Sequence, residues 1–347
     1  MKNRICLPLA FLGILHGAIL LAGLLAPYDP EAQDRGHPYA PPSRLHMVDQ
    51  TGQFHFHPFI YEWVERAGSP GVYEEDRSRM YPLRLFPAEE SGTGRNMNAG
   101  KRLFGVDKPG HVYLLGTDGF GRDQLSRLLY GGRISLLSGF LATSLSLGLA
   151  LLLGSIAGYF GRWLDDVIMR AAELLLALPW LYCLFALRAR LPLHITPERT
   201  LFMLIFVMSL RGWARPARLI RGLVMTAKER DFVLAARGFG ASDTYLLAKH
   251  ILPQTFGILL TQAALLIPQY TLAEVAFSFL GLGVSEPTPT WGNMLANLQH
   301  YHVLASYWWI GIPGLVLIPT FFAYHTLAGA LHEQLPGGYS ARARASS

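Results

Sequence analysis

Three histidines near the N-terminus, His46, His55 and His57, are of a type and spacing that could bind a metal ion. On a strand, His55 and His57 would lie on one face because side chains alternate, and imidazole nitrogens suit zinc, copper and nickel. No acidic residue or cysteine stands immediately beside any of the three. Spacing alone is weak support for a site, so we expect ordinary histidines and no metal centre.

The sequence also lacks a complete set of residues for a cysteine site or for a phosphate-binding loop. Cys6 and Cys183 both fall inside apolar stretches, which argues against a disulfide framework and against a thiolate metal site. The Gly100-Lys101 pair lacks the upstream glycine and the following serine or threonine of a phosphate-binding loop. We therefore predict a chain with no catalytic residues and no cofactor.

The composition indicates a membrane protein. Of the 347 residues, 51% are apolar and 16% are charged, whereas soluble domains carry about 25% charged residues. Six apolar stretches are close to or longer than the roughly 20 residues that a helix needs to cross a bilayer. They are residues 5–26, 134–160, 167–187, 200–217, 256–280 and 307–331. The sequence therefore predicts an all-α membrane protein with six transmembrane helices.

The first stretch has a second interpretation. Lys2 and Arg4 followed by an apolar run are also typical of a secretory signal. Residues 5–26 are longer than the roughly 7 to 15 residues of a signal core, so we expect a retained helix.

The positive charges indicate how these helices are oriented. The net charge is +6, and the basic residues cluster at the ends of apolar runs, as cytoplasmic anchors do, rather than in a nucleic-acid-binding tail. Residues 211–249 hold eight lysines or arginines and three acidic residues. We predict this segment and both termini in the cytoplasm.

The predicted orientation divides the chain into four parts. Residues 1–26 form the first transmembrane helix, and residues 27–133 form a long extracytoplasmic loop that should contain short strands and helices. Residues 134–332 form a five-helix core with a cytoplasmic segment at about 228–253, and residues 333–347 form a cytoplasmic tail. The spacing Gly154-x-x-x-Gly158 in the second helix allows close helix packing.

The strongest local pattern is residues 231–253. Residues 231–239 and 242–250 each predict a short helix, and Gly240 between them is where the backbone bends most easily. Ser242 is a natural N-cap for the second helix. Pro253 marks the entry to the fifth transmembrane helix.

Residues 231–253 resemble the coupling loop of importer permeases in the ABC transporter superfamily and are called the coupling segment below. In that family a Glu-Ala-Ala triplet precedes a glycine, and a His-x-Leu-Pro ending follows. Leu234 replaces the glutamate here. The residues that the resemblance assigns to coupling are Ala235, Ala236, Gly238, Gly240, His250, Leu252 and Pro253.

Three further motifs extend the resemblance to dipeptide and oligopeptide permeases. Residues 116–127 are similar to the segment before the second helix of those permeases, and residues 159–170 to their short loop between helices two and three. Residues 277–292 are similar to the end of their fifth helix and the outer loop after it. The resemblance therefore covers most of the chain from Leu115 onward.

The resemblance implies a multi-pass inner-membrane permease that is not itself an enzyme. Such a subunit forms half of the translocation path for peptides or similar small solutes. The partners implied are a second, homologous but non-identical permease subunit, cytoplasmic ATPase subunits that bind the coupling segment and hydrolyse ATP, an extracytoplasmic solute-binding protein, and the lipid bilayer, with no nucleic acid. No cofactor is expected.

Two acidic residues, Glu173 and Glu274, fall within predicted helices. Ionisable residues inside a bilayer are costly and mark functional positions. Each would either face the translocation path or serve helix packing near the end of a span. The sequence leaves both alternatives open.

Two other functional classes need features that the sequence lacks. An intramembrane enzyme needs a nucleophile and a base at matching depth, and His16 and His325 are isolated. A transporter driven by an ion gradient usually shows broken helices and an internal repeat, and neither is evident in the sequence.

Overall fold

The computed structural model describes residues 2–66, 68, 71–86, 102–189 and 196–334. The predicted tail beyond residue 334 and the Gly100-Lys101 pair lie outside them. The helices are α1 (Lys2–Leu20), α2 (Ala22–Leu25), α3 (Gln124–Phe160), α4 (Arg162–Ala177), α5 (Trp180–Ala189), α6 (Pro197–Gly212), α7 (Ala214–Ala227), α8 (Asp231–Gly238), α9 (Asp243–Tyr245), α10 (Phe256–Phe279), α11 (Trp291–Ala296), α12 (Tyr301–Ser306) and α13 (Ile312–Gln334). The strands are β1 (His46–Val48), β2 (Phe54–Glu65), β3 (Tyr73–Pro82), β4 (Arg84–Leu85) and β5 (Phe104–Gly105).

Within the described residues, three helical stretches are long and apolar enough to cross a membrane. They are Gln124–Phe160, Asp243–Phe279 and Trp308–Glu333. They contain or overlap the second, fifth and sixth predicted spans. The first predicted span falls on α1, whose apolar part, Ile5–Leu20, is shorter. The chain is thus mostly helical, as the sequence predicts, and the count of six spans stays a prediction.

The third and fourth predicted spans each fall on two helices instead of one. α4 ends at Ala177 because Leu178 precedes Pro179 and takes an extended backbone with ψ 126°, as residues before proline prefer. α6 and α7 meet at Trp213. The apolar pattern does not show where a continuous helix stops.

Helix α3 begins earlier than the apolar stretch at residue 134 indicates. The Oδ2 atom of Asp123 accepts hydrogen bonds from the backbone nitrogen of Ser126 at 2.7 Å and from its Oγ at 2.6 Å. This is an N-cap, which satisfies backbone donors that the first turn leaves free. The apolar pattern marks the part suited to lipid, whereas the cap decides where the helix starts.

The described residues between α2 and α3 form the short strands that the sequence predicts, whereas the short helices also predicted there are not among them. β1, β2 and β3 form an antiparallel sheet in that order, and β4 pairs with β5. The register of β2 against β3 shifts between Tyr61 and Glu62, and such irregularities redirect side chains. The all-α description therefore does not extend to this region.

The chain divides into two compact units. The first comprises Met1–Leu12, Leu136–Glu274 and Pro319–Ser347, and its largest core cluster draws buried side chains from α3, α4 and α7. The second comprises Gly13–Ser135 and Val275–Ile318, with one cluster around Ile60 and another around Ile310.

Candidate functional site

The coupling segment forms the two short helices that the sequence predicts, joined by a tight turn at Gly240. The Gly240 nitrogen donates to Arg237 O at 3.0 Å, and the Ala241 nitrogen donates to Ala236 O at 3.1 Å. These two bonds define a Schellman motif, which needs a left-handed residue after the helix. Gly240 has φ 89°, a conformation that glycine adopts without a steric penalty.

The second half of the segment starts at a serine cap and passes through a widened turn. Ser242 Oγ accepts from the Tyr245 nitrogen at 3.4 Å, which confirms the predicted N-cap. Leu246–Ile251 then follow as a π-helical turn, and Pro253 lies in the short 3₁₀ turn that leads into α10. Proline suits this entry position because it needs no backbone donor there.

One face of the coupling segment is buried in the core of its unit. Val233, Leu246 and Ile251 have no exposed surface and join the cluster that α3, α4 and α7 build. Burying each such side chain contributes about 1.5–3 kcal/mol. Ala236 and Ala241 pack against the same cluster, so the turn between the helices is seated as well.

A tyrosine on α3 links the two sides of the Gly240 turn. Tyr159 Oη donates to Asp243 Oδ1 at 2.5 Å, and Arg237 Nη2 donates to Tyr159 Oη at 2.9 Å. The Arg237 guanidinium also lies 5.8 Å from the centre of the Tyr159 ring, within cation–π range. This tyrosine bridge, formed by Arg237, Tyr159 and Asp243, ties both short helices to the end of α3.

The outward face of the coupling segment is apolar where it is most exposed. Phe239, beside Gly240 at the turn, is 93% exposed. Leu234, which replaces the glutamate of the resembled motif, and Tyr245 are also exposed. An apolar patch on a surface marks an interaction site when it is contiguous. The turn is thus packed against the core of its unit, while the side chain of Phe239 is left exposed.

The predicted coupling residues divide between the two faces. Ala235, Gly238, Gly240 and Pro253 are exposed, and Ala236, His250 and Leu252 are partly buried. The His250 ring lies between the rings of Phe232 and Tyr245, at 6.0 and 5.5 Å. The assignments to coupling remain predictions, whereas the turn and the cap are confirmed.

Sequence reasoning missed the members of the tyrosine bridge and Phe239. Tyr159 belongs to a motif that was recognised only as a loop signature, and Asp243 follows the cap serine. A usable signal was the Arg-Gly-Phe-Gly run at residues 237–240, where a large apolar residue stands between two glycines. Such a residue at a tight turn has little room to be buried by its own neighbours.

The predicted small-residue pair brings α3 close to α7. A Cβ atom on Gly154 would lie 2.6 Å from Ala217 O, and one on Gly158 would lie 2.7 Å from Arg221 O. Both distances are shorter than real carbon contacts, so only glycine fits. Lys228 Nζ donates to Gly158 O at 3.3 Å, which adds a polar tie near the entry to the coupling segment.

Residues 150–332 match the family model described as the binding-protein-dependent transport system inner membrane component. The chain belongs to this family of inner membrane components. The match covers more than half of the chain and contains the whole coupling segment. It confirms the resemblance to importer permeases.

Curated relatives of this inner membrane component are similar over about two thirds of its length. The dipeptide transport system permease protein DppC of Bacillus subtilis (strain 168) is 34% identical over 228 residues, which cover 65% of this chain and 69% of the relative. The oligopeptide transport system permease protein OppC of the same strain is 34% identical over 238 residues, covering 67% and 74%. The di/tripeptide transport system permease protein DppC of Pseudomonas aeruginosa (strain UCBPP-PA14) is 37% identical over 223 residues, covering 64% and 71%.

The two acidic residues singled out in this inner membrane component occupy different environments. Glu274 is fully buried. Glu173 is 59% exposed, and its Oε1 lies 3.7 Å from Arg218 Nη2. A separate cavity of about 360 Å³ includes Arg211, Gln269 and Tyr270 among its lining residues and neither glutamate.

A buried charge cluster occupies the second unit. Arg122 donates to Asp118 Oδ2 at 2.7 Å and to Glu286 Oε2 at 2.6 Å, and Arg127 donates to Glu286 Oε1 at 3.0 Å. The structure thus joins two family-like motifs, residues 116–127 and 277–292, that lie far apart in sequence. Two guanidinium groups face two carboxylates, so the four charges balance.

The three histidines that prompted a metal hypothesis do not form one site. His46 Nε2 lies 3.0 Å from Glu75 Oε1, His55 Nε2 lies 3.0 Å from Asp49 Oδ2, and His57 is exposed. The first two therefore contact different carboxylates.

Proposed function

We propose that this inner membrane component is the permease subunit of an ATP-driven importer, and that it docks on a cytoplasmic ATPase through the coupling segment. The exposure of Phe239 carries this proposal. Leaving a phenylalanine almost fully in water forgoes about 1.5–3 kcal/mol of burial. A partner with an apolar groove would recover that free energy.

The seating of the segment explains how a docked partner would move the helices. Val233, Leu246 and Ile251 anchor it in the core shared by α3, α4 and α7. Arg237 and Asp243 tie it to Tyr159 on α3. A displacement at the turn would therefore be passed to these helices as a rigid-body motion, because packed interiors have low compressibility.

The other parts of the proposal follow from the family and from charge. The ATPase is a separate subunit, a second homologous permease completes the path, and a solute-binding protein delivers cargo from outside. The chain crosses the inner membrane six times with both termini in the cytoplasm, and residues 27–133 lie outside. The names of the relatives support a peptide or a similar small solute as cargo.

Helix packing, rather than contact with cargo, is the role we propose for Glu173 and Glu274. Glu274 has no surface from which to reach a solute. Glu173 faces Arg218, across the contact between α4 and α7. The remaining assigned residues, from Ala235 to Pro253, act by shaping the coupling surface.

Replacing Phe239 with alanine tests the docking proposal. Loss of a central aromatic anchor costs about 2 kcal/mol or more at an interface, which is roughly a 30-fold loss of affinity. We expect F239A to insert in the membrane at normal levels, to lose co-purification of the ATPase and to lose most uptake. Pull-down from membranes and uptake by intact cells measure both.

The matched control is Phe202→Ala. Phe202 lies on α6 and is 75% exposed, but it is outside the coupling segment. Truncating it should leave ATPase binding and uptake unchanged. The docking proposal fails if F239A binds the ATPase and transports as well as F202A does.

A further inference from the structure

A cluster of three side chains that could bind a metal ion lies in the region between α2 and α3, which contains the small sheet. Asp34, His37 and His111 each place one ligand atom within 4.8 Å of those of the other two. They come from the segment after α2 and from the segment before α3. Tetrahedral zinc bonds of about 2.0–2.1 Å place ligand atoms about 3.3 Å apart. No pair would therefore need to close by more than about 1.5 Å on binding.

The ring of His37 has oxygen atoms beside both of its nitrogens. Its Nε2 lies 3.0 Å from the carbonyl oxygen of Trp63 and 3.4 Å from Glu62 Oε1, and a carbonyl can only accept, so Nε2 carries a proton. Its Nδ1 lies 2.6 Å from Asp34 Oδ2. A lone pair and a carboxylate oxygen repel at this distance unless a proton or a metal ion lies between them.

The ring of His111 is also oriented by a partner. Glu62 Oε2 accepts from the His111 backbone nitrogen at 2.8 Å, and Glu62 Oε1 lies 3.0 Å from the ring Nδ1. A carboxylate that holds one nitrogen of a histidine is the arrangement that fixes metal-bound imidazoles. Nε2 then remains for a metal ion. The register shift beside Glu62 sets this side chain at its position on β2.

Aromatic contacts and partial exposure complete the cluster. Tyr113 Oη donates to Asp34 Oδ2 at 2.8 Å, and the Tyr73 ring stacks on His37 with centres 6.4 Å apart. The side chains of His37, Asp34 and His111 are 14%, 28% and 39% exposed. The cluster is thus fixed on one side and open to water on the His111 side, where an ion could enter.

We propose that Asp34, His37 and His111 bind one divalent transition-metal ion of the zinc class. Two imidazoles and one carboxylate suit zinc or nickel better than calcium or magnesium, which prefer oxygen ligands. Water fills the remaining position, and Glu62 and the Trp63 carbonyl orient the two rings. The metal replaces the proton shared by His37 and Asp34.

Zinc titration of the purified full chain tests this site, with a tag that contains no histidine. Isothermal calorimetry in a non-chelating buffer at pH 7.5 should show one high-affinity equivalent of Zn²⁺. Asp34→Asn and His111→Ala should each weaken that binding at least tenfold. Calcium should not compete at a hundredfold excess.

The control is His55→Ala, which removes a histidine that has one carboxylate partner and no third ligand. This variant should bind zinc as the unmodified chain does. The proposal is overturned if no stoichiometric zinc binding occurs, or if H55A weakens it as much as H111A. A circular dichroism melt shows whether each variant folds. D34N disturbs more hydrogen bonds than H111A does. If D34N misfolds, the result for H111A, whose site residue is more exposed, decides the outcome.

Discussion

The charge cluster and the tyrosine bridge both join distant segments through arginine, yet their surroundings differ. The side chains of Arg122 and Arg127 are 2% and 1% exposed, whereas those of Arg237 and Asp243 are 47% and 60% exposed. A buried ion must be fully paired because desolvation costs several kcal/mol. Exposed ions are held only weakly, since water screens them.

The difference separates a structural site from a surface that is available to a partner. The charge cluster pairs its two buried arginines internally, and of its four side chains only that of Glu286 is partly exposed, at 42%. The tyrosine bridge holds a turn in place while leaving Phe239 uncovered. A motif shared with a family can thus mark either a fold requirement or a docking surface, and burial distinguishes the two.

Removing a charge from the buried cluster should have the largest effect. Arg122→Ala leaves Asp118 without its closest cation and removes two donors from Glu286, and breaking a buried pair costs about 3–5 kcal/mol. We expect strongly reduced membrane levels and a lower melting temperature in detergent.

Arg66→Ala is the control for that variant. Arg66 pairs with Glu74, the two side chains are 56% and 54% exposed, and such surface pairs contribute about 0–1 kcal/mol. Normal levels of R122A, equal to those of R66A, would break the contrast between the two regions.

A carboxylate beside the charge cluster should make stability depend on pH. Burial raises the pKa of Asp123 to about 6, although hydrogen bonds from Ser126 lower it. The folded state therefore favours the protonated acid, and the stabilisation is present below pH 4 and lost as pH rises through 6. A shift of this size corresponds to roughly 3 kcal/mol. In Asp123→Asn, stability should not fall by this amount as the pH rises. Melting curves from pH 4 to 8 measure the difference.

The quantity that tests this prediction is the difference between the pH profiles of melting temperature for D123N and for the unmodified chain. Other carboxylates titrate in both proteins and cancel. Parallel profiles for D123N and the unmodified chain would mean that Asp123 is charged in the fold, contrary to its burial.

Substituting Gly240 should have the smallest effect on stability of these changes but a clear effect on transport. Gly240→Val forces a β-branched residue to φ 89°, which costs about 1–2 kcal/mol locally. A Cβ there would meet no atom within 4 Å, so steric overlap does not add to the strain. We expect normal membrane levels and at least a tenfold loss of uptake, because the turn that carries Phe239 is displaced.

Gly240→Asn is the matched control, since asparagine tolerates the left-handed conformation. It should retain most of the uptake. If valine transports as well as asparagine, the backbone conformation at this turn does not matter for coupling.

Local features of the fold were predictable from sequence because their causes are local. The bend at Gly240 and the cap at Ser242 depend on residues within one or two turns. Helix ends were less predictable. The start of α3 depends on Asp123, which lies before the apolar stretch, and the break at residue 178 depends on Pro179, a single residue in a stretch that stays apolar on average.

The sequence by itself determined the family, the apolar helices and the two-helix form of the coupling segment, since these depend on composition, spacing and short-range geometry. Only the tertiary structure decided which distant segments of the chain pack against one another. It placed Tyr159 against Arg237 and Asp243, joined Arg122 to Glu286 and brought Asp34 and His37 to His111. These contacts join residues dozens to more than a hundred positions apart, and no local pattern records which distant segment will pack against them.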